Sequence, residues 1–190
     1  MLRKVLIGLG VLLVVVIGGG FLLPGVITVT RSTTIQAPPD AIYPMIATPR
    51  QWPSWSPWNG RDPNMAITYS GPESGAGAKW EWKSESQGDG SMVMTSATAP
   101  NDVAFELTIV GMGPPSRGAF ALRPAGAGTQ VEWTMTSEMG FGPIGGWFGL
   151  FFRPMLEKDF DRGLASLKQK AEATPSVPSA PPPAPPPGAP

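Results

Sequence analysis

Residues 151–171, FFRPMLEKDFDRGLASLKQKA, set Phe152, Leu156, Phe160, Gly163 with Leu164, Leu167 and Ala171 at steps of three and four. Glu157, Lys158, Asp161, Arg162 and Lys168 stay off that stripe, so the segment reads as an amphipathic helix with one broad dry face. A face that wide must be buried against something. Pro154 lacks an N–H and disfavours an unbroken helix, so the helix is expected to begin near it.

The surface that could receive this face lies upstream. Ala78, Trp80 and Trp82 alternate with Lys79, Glu81 and Lys83. Met92 and Met94 repeat the pattern after the Gly88-Asp89-Gly90 turn, and Val103, Phe105, Leu107 and Ile109 oppose Glu106 and Thr108. Phe120 and Leu122 follow the Gly113–Pro115 break. Val131, Trp133 and Met135 oppose Glu132, Thr134 and Thr136 after Gly126-Ala127-Gly128. Short period-two runs bounded by Gly and Pro predict an antiparallel sheet with one wet and one dry face. A first strand through Arg31, Thr33 and Ile35 comes before a short helix. Ala37-Pro38-Pro39-Asp40 opens that helix, and Ile42, Met45 and Ile46 form its apolar side. The sum is an α+β domain over residues 27–173, a curved sheet of about six to seven strands wrapped on the long C-terminal helix.

Two segments flank the domain. Val5 to Leu23 is an uncharged run; as a helix it covers roughly 28 Å, close to the ~30 Å hydrocarbon core of a bilayer. It is longer than the apolar part of a signal peptide, and the weak Gly18-x-Gly20 is its one candidate cleavage site, so an uncleaved signal anchor is the expectation. Arg3 and Lys4 precede it, which keeps residues 1–4 cytoplasmic and places the domain outside, in a bacterium facing the periplasm from the inner membrane. At the other end, residues 174–190 are dominated by proline, a composition that builds no core and favours extended polyproline II. A disordered tail is expected there, with a docking segment for a protein partner as the alternative.

Composition removes several functions. The chain holds 14 basic and 14 acidic residues with no run of like charges, which gives no electrostatic footprint for nucleic acid. Cysteine and histidine are both absent, removing thiolate chemistry, Cys- or His-based metal sites and the usual general base near neutral pH. No cofactor or metal is expected.

The stretch Trp52-Pro53-Ser54-Trp55-Ser56-Pro57-Trp58 carries three of seven tryptophans in a rigid loop. It is either a hydrophobic plug at one end of the sheet or the rim of a cavity, and Asp62 behind it could accept an indole N–H. With Arg31-Ser32 through Ile35 to Ala37-Pro38-Pro39, with Gly128-Thr129-Gln130-Val131-Glu132-Trp133, and with Asp159-Phe160-Asp161-Arg162-Gly163-Leu164, it gives the chain its likeness. From Val29 to Glu172 the chain resembles the SRPBCC superfamily, the START-like or polyketide cyclase/dehydrase-like helix-grip proteins. That resemblance implies a helix-grip fold with a deep apolar cavity between sheet and long helix, in which many members bind lipids or other hydrophobic small molecules. The family's enzymes use catalytic residues that differ between branches, and none is matched here.

The inner faces therefore either pack solid or line a pocket. None of their side chains is ionisable, which favours binding over catalysis. The candidate lining is Trp52, Trp55 and Trp58 from the loop; Trp80, Trp82, Met92, Met94, Phe105 and Leu107 from the first strands of the meander. Phe120, Trp133 and Met135 from its last strands and Phe152, Leu156 and Phe160 from the helix complete it. Methionines beside large aromatics suit a guest of variable shape. Residues 139–152, MGFGPIGGWFGLFF, hold no charge and five glycines. They read as a buried loop and first helical turn, or as a flexible portal against the bilayer with Phe141, Trp147 and Phe148 facing it. The expected function is a membrane-anchored domain binding a hydrophobic small molecule or lipid. A cyclase-, dehydratase- or hydrolase-type enzyme and a ligand-free interaction or stress-related module are the rivals.

Overall fold

The computed structural model describes residues 2–62, 64–140 and 142–173; the expectations for the proline-rich 174–190 and for Phe141 lie outside them. A helix α1 (Leu2–Leu22) leads directly into strand β1 (Val26–Ile35), followed by α2 (Pro39–Ala47), two short 3-10 turns at Pro49–Ser54 and Asn59–Arg61, and six further strands. These are β2 (Ala66–Ser70), β3 (Lys79–Lys83), β4 (Gly90–Thr98), β5 (Asp102–Ile109), β6 (Ser116–Ala125) and β7 (Gly128–Glu138), and α3 (Pro143–Ala173) closes the domain. Among the described residues the seven strands form one antiparallel sheet ordered β1-β7-β6-β5-β4-β3-β2.

The alternation in the sequence becomes the two faces of this sheet. Trp80, Met92, Met94, Val103, Phe105, Phe120, Leu122, Val131, Trp133 and Met135 are buried, and α3 lays Leu156, Phe160, Leu164, Leu167 and Ala171 onto them. The outer face is wet. There Thr28 and Thr30 on β1 share hydroxyl hydrogen bonds with Thr136 and Thr134 on β7, at 3.0 and 2.9 Å. Glycine permits the closest approaches: a Cβ on Gly118 would stand 2.1 Å from the Phe105 ring, and one on Gly163 2.9 Å from Trp133. Arg31 sits midway along β1 and ties the strand to α3 through Glu157 (2.8 Å) and Asp161 (3.3 Å).

Strand β2 is unannounced by the sequence. It is a short edge strand whose Ile67 and Tyr69 are only half-buried, so its alternation is faint. The larger departure concerns α3. It does not begin near Pro154 but at Pro143, and runs through Pro154. Residues 143–152, expected as a buried loop and first helical turn or as a flexible portal, are helical throughout, and their glycines serve close contact. A Cβ on Gly145 would collide with the Met139 carbonyl at 1.8 Å, one on Gly146 would meet Leu23 and the Gly20 carbonyl at 2.6 and 2.7 Å, and one on Gly149 would touch Ile27 at 3.0 Å. Small residues let backbones approach closely, as helices do within membranes. Here they seat the first turns of α3 against α1 and β1. Trp147 completes the joint: its ring lies against Gly19, and its Nε1 donates to the Val16 carbonyl at 2.9 Å.

Candidate functional site

The space between sheet and α3 is solid at one end and hollow at the other. At the solid end, Trp133 stacks on Phe160 (3.9 Å, 7°) and on Phe120 (4.8 Å, 27°). Trp52 meets Phe105, Phe120 and Trp133 edge-on at 5.6, 5.9 and 6.1 Å. Trp52 and Trp55 are sealed in this cluster at 2 % exposure each. Their indole N–H groups do not reach Asp62; they donate to the carbonyls of Ile46 (2.8 Å) and Met45 (2.9 Å) near the end of α2. That tail of α2 leaves carbonyls without helical partners, which is what an indole donor needs. The loop is thus chiefly a plug. Among the described residues, Trp133 Nε1 is the one buried side-chain polar atom without a partner.

The hollow end is a cavity of about 320 Å³. Trp80, Trp82, Met92, Leu107 and Met135 line it from the sheet, Phe152 and Leu156 from α3, and Trp58 with one side of Trp52 from the loop. Six other candidates, Trp55, Met94, Phe105, Phe120, Trp133 and Phe160, belong to the solid cluster instead. Of the portal candidates, Phe148 lines the cavity and is 38 % exposed, whereas Trp147 faces α1. The Trp82 Nε1 donates to the Gly88 carbonyl at 3.0 Å, which holds that ring across the β3–β4 hairpin.

From the strands the cavity takes one ionisable side chain, that of the exposed Glu138 at the end of β7; the helix and the loop give it an ion pair. Asp159 of α3, 2 % exposed, and Arg61, at the end of the Asn59–Arg61 turn, both line it and form an ion pair between Oδ1 and Nη2. Arg162 approaches the same Oδ1 at 3.9 Å. Sequence reasoning had no role for either residue, although one signal was present: Phe152, Leu156, Asp159 and Gly163 are spaced four, three and four, so a carboxylate sits on the dry stripe itself. Arg61 had no comparable signal.

Arg61 is set in place by its neighbours. Asp62 next to it accepts from the Ser84 hydroxyl and the Asn64 N–H (2.9 Å), and Ser84 accepts from Gln87 N–H at 2.9 Å while its own N–H reaches Asp89 at 3.0 Å. The Ser84 hydroxyl, then the Asn64 N–H, hold the Asp62 carboxyl below its ordinary range. This network pins the loop to the β3–β4 hairpin beside the cavity. Among the described residues no group of His, Cys, Asp or Glu side chains could hold a metal ion.

Among solved structures, 266 chains match this one. They include the Aha1 dimer from Colwellia psychrerythraea (18% identity, TM-score 0.56, covering 77% of this chain and 97% of that one). Another is protein CV1439 from Chromobacterium violaceum (12%, TM-score 0.56, 77% and 98%). A third is the di-domain ARO/CYC protein BexL of the BE-7585A biosynthetic pathway (17%, TM-score 0.57, 80% and 52%). At these identities the likeness is one of fold. Among curated proteins none matches. The model of the family described as polyketide cyclase / dehydrase and lipid transport matches residues 26–172, from the first residue of β1 almost to the end of α3. With a sheet gripping a long helix around a partly hollow interior, the chain belongs to that family, within the SRPBCC superfamily.

Proposed function

We propose that the protein is a membrane-anchored, extracytoplasmic domain that holds a hydrophobic small molecule or lipid in the cavity between sheet and α3. One observation carries the reading: the exposed apolar side chains, the part of the cavity lining they share and α1 all lie at one end of α3. Among the described residues outside α1, the exposed large hydrophobics are confined to three segments. They are Val26 at the start of β1, Val110 and Met112 in the β5–β6 turn, and the stretch from Ile144 to Met155. Met112, Phe148 and Met155 belong both to this surface and to the cavity lining. Soluble surfaces rarely gather apolar groups in this way unless they meet a partner or a membrane. Among the described residues the one helix long and apolar enough to cross a bilayer is α1, and it is packed against the same end of α3. Those contacts support retention of α1 over cleavage, and Arg3 and Lys4 support a cytoplasmic N-terminus.

Native mass spectrometry of the full-length protein extracted in detergent tests binding. A co-purifying lipid or metabolite of defined mass is expected. A clean apo mass from several expression hosts would replace this reading with that of a ligand-free interaction module. A second reading, an enzyme of the cyclase or dehydratase kind, is favoured by the presence of Asp159 and Arg61 in the lining. Recovery of a chemically altered ligand after prolonged incubation would select it; recovery unchanged selects binding.

A further inference from the structure

The cavity is not uniform along its length. Its α3 wall runs from Phe148, beside the joint with α1, to Asp159, a span of roughly 16 Å at ~1.5 Å per residue. The end near α1 is bounded by Phe148, Phe152, Met112 and Met139, with the exposed Glu138 and the mutually bonded Ser116 and Ser137 beside them; the far end holds Asp159, Arg61 and Asn59. Both cations near Asp159 approach its Oδ1. Its Oδ2 has no partner among the described residues and, unlike Trp133 Nε1, is not sealed from solvent, so it borders the cavity. On Arg61, a single nitrogen, Nη2, is engaged by a carboxylate, and the guanidinium presents five N–H donors. A free acceptor and partly exposed donors therefore stand side by side at the end of the cavity away from α1.

From this we infer that the Arg61–Asp159 pair is a polar subsite that selects an amphiphile whose single head is neutral and both donates and accepts, such as a hydroxyl. The inference rests on the cavity being a binding site. A hydroxyl donates to Asp159 Oδ2 while accepting from Arg61, and leaves the pair's charges balanced. A carboxylate or phosphate would bring a further negative charge against Asp159; Arg162, 3.9 Å from Oδ1 with its side chain 67 % exposed, is screened by water and offsets little of that cost. A plain hydrocarbon would leave both groups unanswered. The tail then lies along Phe152 and Phe148 toward α1.

The test uses the full-length protein in phosphatidylcholine nanodiscs and three radiolabelled compounds of equal chain length, dodecanol, dodecane and dodecanoate, with retention corrected for empty discs. Hydrogen bonds to charged groups predict dodecanol held about tenfold more tightly than dodecane, with dodecanoate weaker than dodecanol. Asp159→Asn, nearly isosteric, leaves Arg61 as an uncompensated cation and reverses the order of alcohol and carboxylate. The double variant Arg61→Gln with Asp159→Asn brings alcohol and alkane within about threefold of each other, since neutral hydrogen bonds contribute less. Equal wild-type retention of dodecanol and dodecane, or an order unchanged by Asp159→Asn, overturns the polar subsite alone. Retention of none of the three overturns the cavity as a binding site and the subsite with it.

Discussion

The two ends of the interior are built from the same residue types and have opposite characters. Around Trp133, tryptophan and phenylalanine rings pack on each other at stacking distance, and every indole but one finds a carbonyl or a ring edge. Around Trp80 and Trp82, the neighbours are methionine and leucine, and the rings face open space. Aromatic content alone does not decide whether a region is filled. What differs is the opposing element: α2 and the buried Trp52 and Trp55 press onto one end, whereas α3, Trp58 and the Asn59–Arg61 turn cover the other and leave space beneath them.

The largest effect that could break this contrast comes from the solid end. Trp52→Ala should cost about 3–5 kcal/mol, read by denaturant unfolding of the full-length protein. A cost below about 1 kcal/mol would mean that this end is hollow too. Next comes the joint with α1. Gly146→Val places side-chain atoms where Leu23 and the Gly20 carbonyl stand. It should destabilise by about 1–3 kcal/mol through overpacking and remove the Trp147 contribution from the difference spectrum against Trp147→Phe. At the hollow end, Leu107→Trp should change stability by only about 1 kcal/mol, because the added ring enters existing space. It should also abolish retention of the amphiphile. A large stability loss there would show the cavity to be tighter than its volume implies.

The smallest effect is one of pH. The folded Asp62 carboxyl titrates below its unfolded value, so its contribution to pinning the loop to the hairpin is complete above the ordinary carboxylate range. It is lost as pH falls through the lowered folded value. Amide exchange across residues 84–89 should therefore quicken at acid pH in the wild type and show no such step in Asp62→Asn.

Most of the fold was legible because the sheet has one wet face: Glu132 and Thr134 beside Trp133 declare a strand without any knowledge of its partners. Edge strand β2 was not, since neither of its faces is fully dry. The first turns of α3 misled for a different reason. Glycines at 145, 146 and 149 and a proline at 154 argue against helix locally, and only the presence of α1, β1 and Met139 against those glycines makes the conformation favourable. The cavity side chains of the strands could be read from alternation. The solid cluster could not be separated from them, because inward-facing Phe105 and Leu107 differ only in which loop lies above them. Asp159 was legible in principle on its stripe; Arg61, on a short turn defined by the hydrogen bonds of Asp62, was not.

Three residues, Leu23, Pro24 and Gly25, separate the end of α1 from the start of β1, and the Met139 N–H closes on the Gly25 carbonyl at 2.7 Å. A link this short spans roughly 10 Å at full stretch, and the Trp147 and Gly146 contacts remove what play it has. With α1 in a bilayer, the domain has one height and one bearing over that surface. On the proposed function it would work as a stationary berth, and a cargo bound for another membrane would need a separate carrier to collect it.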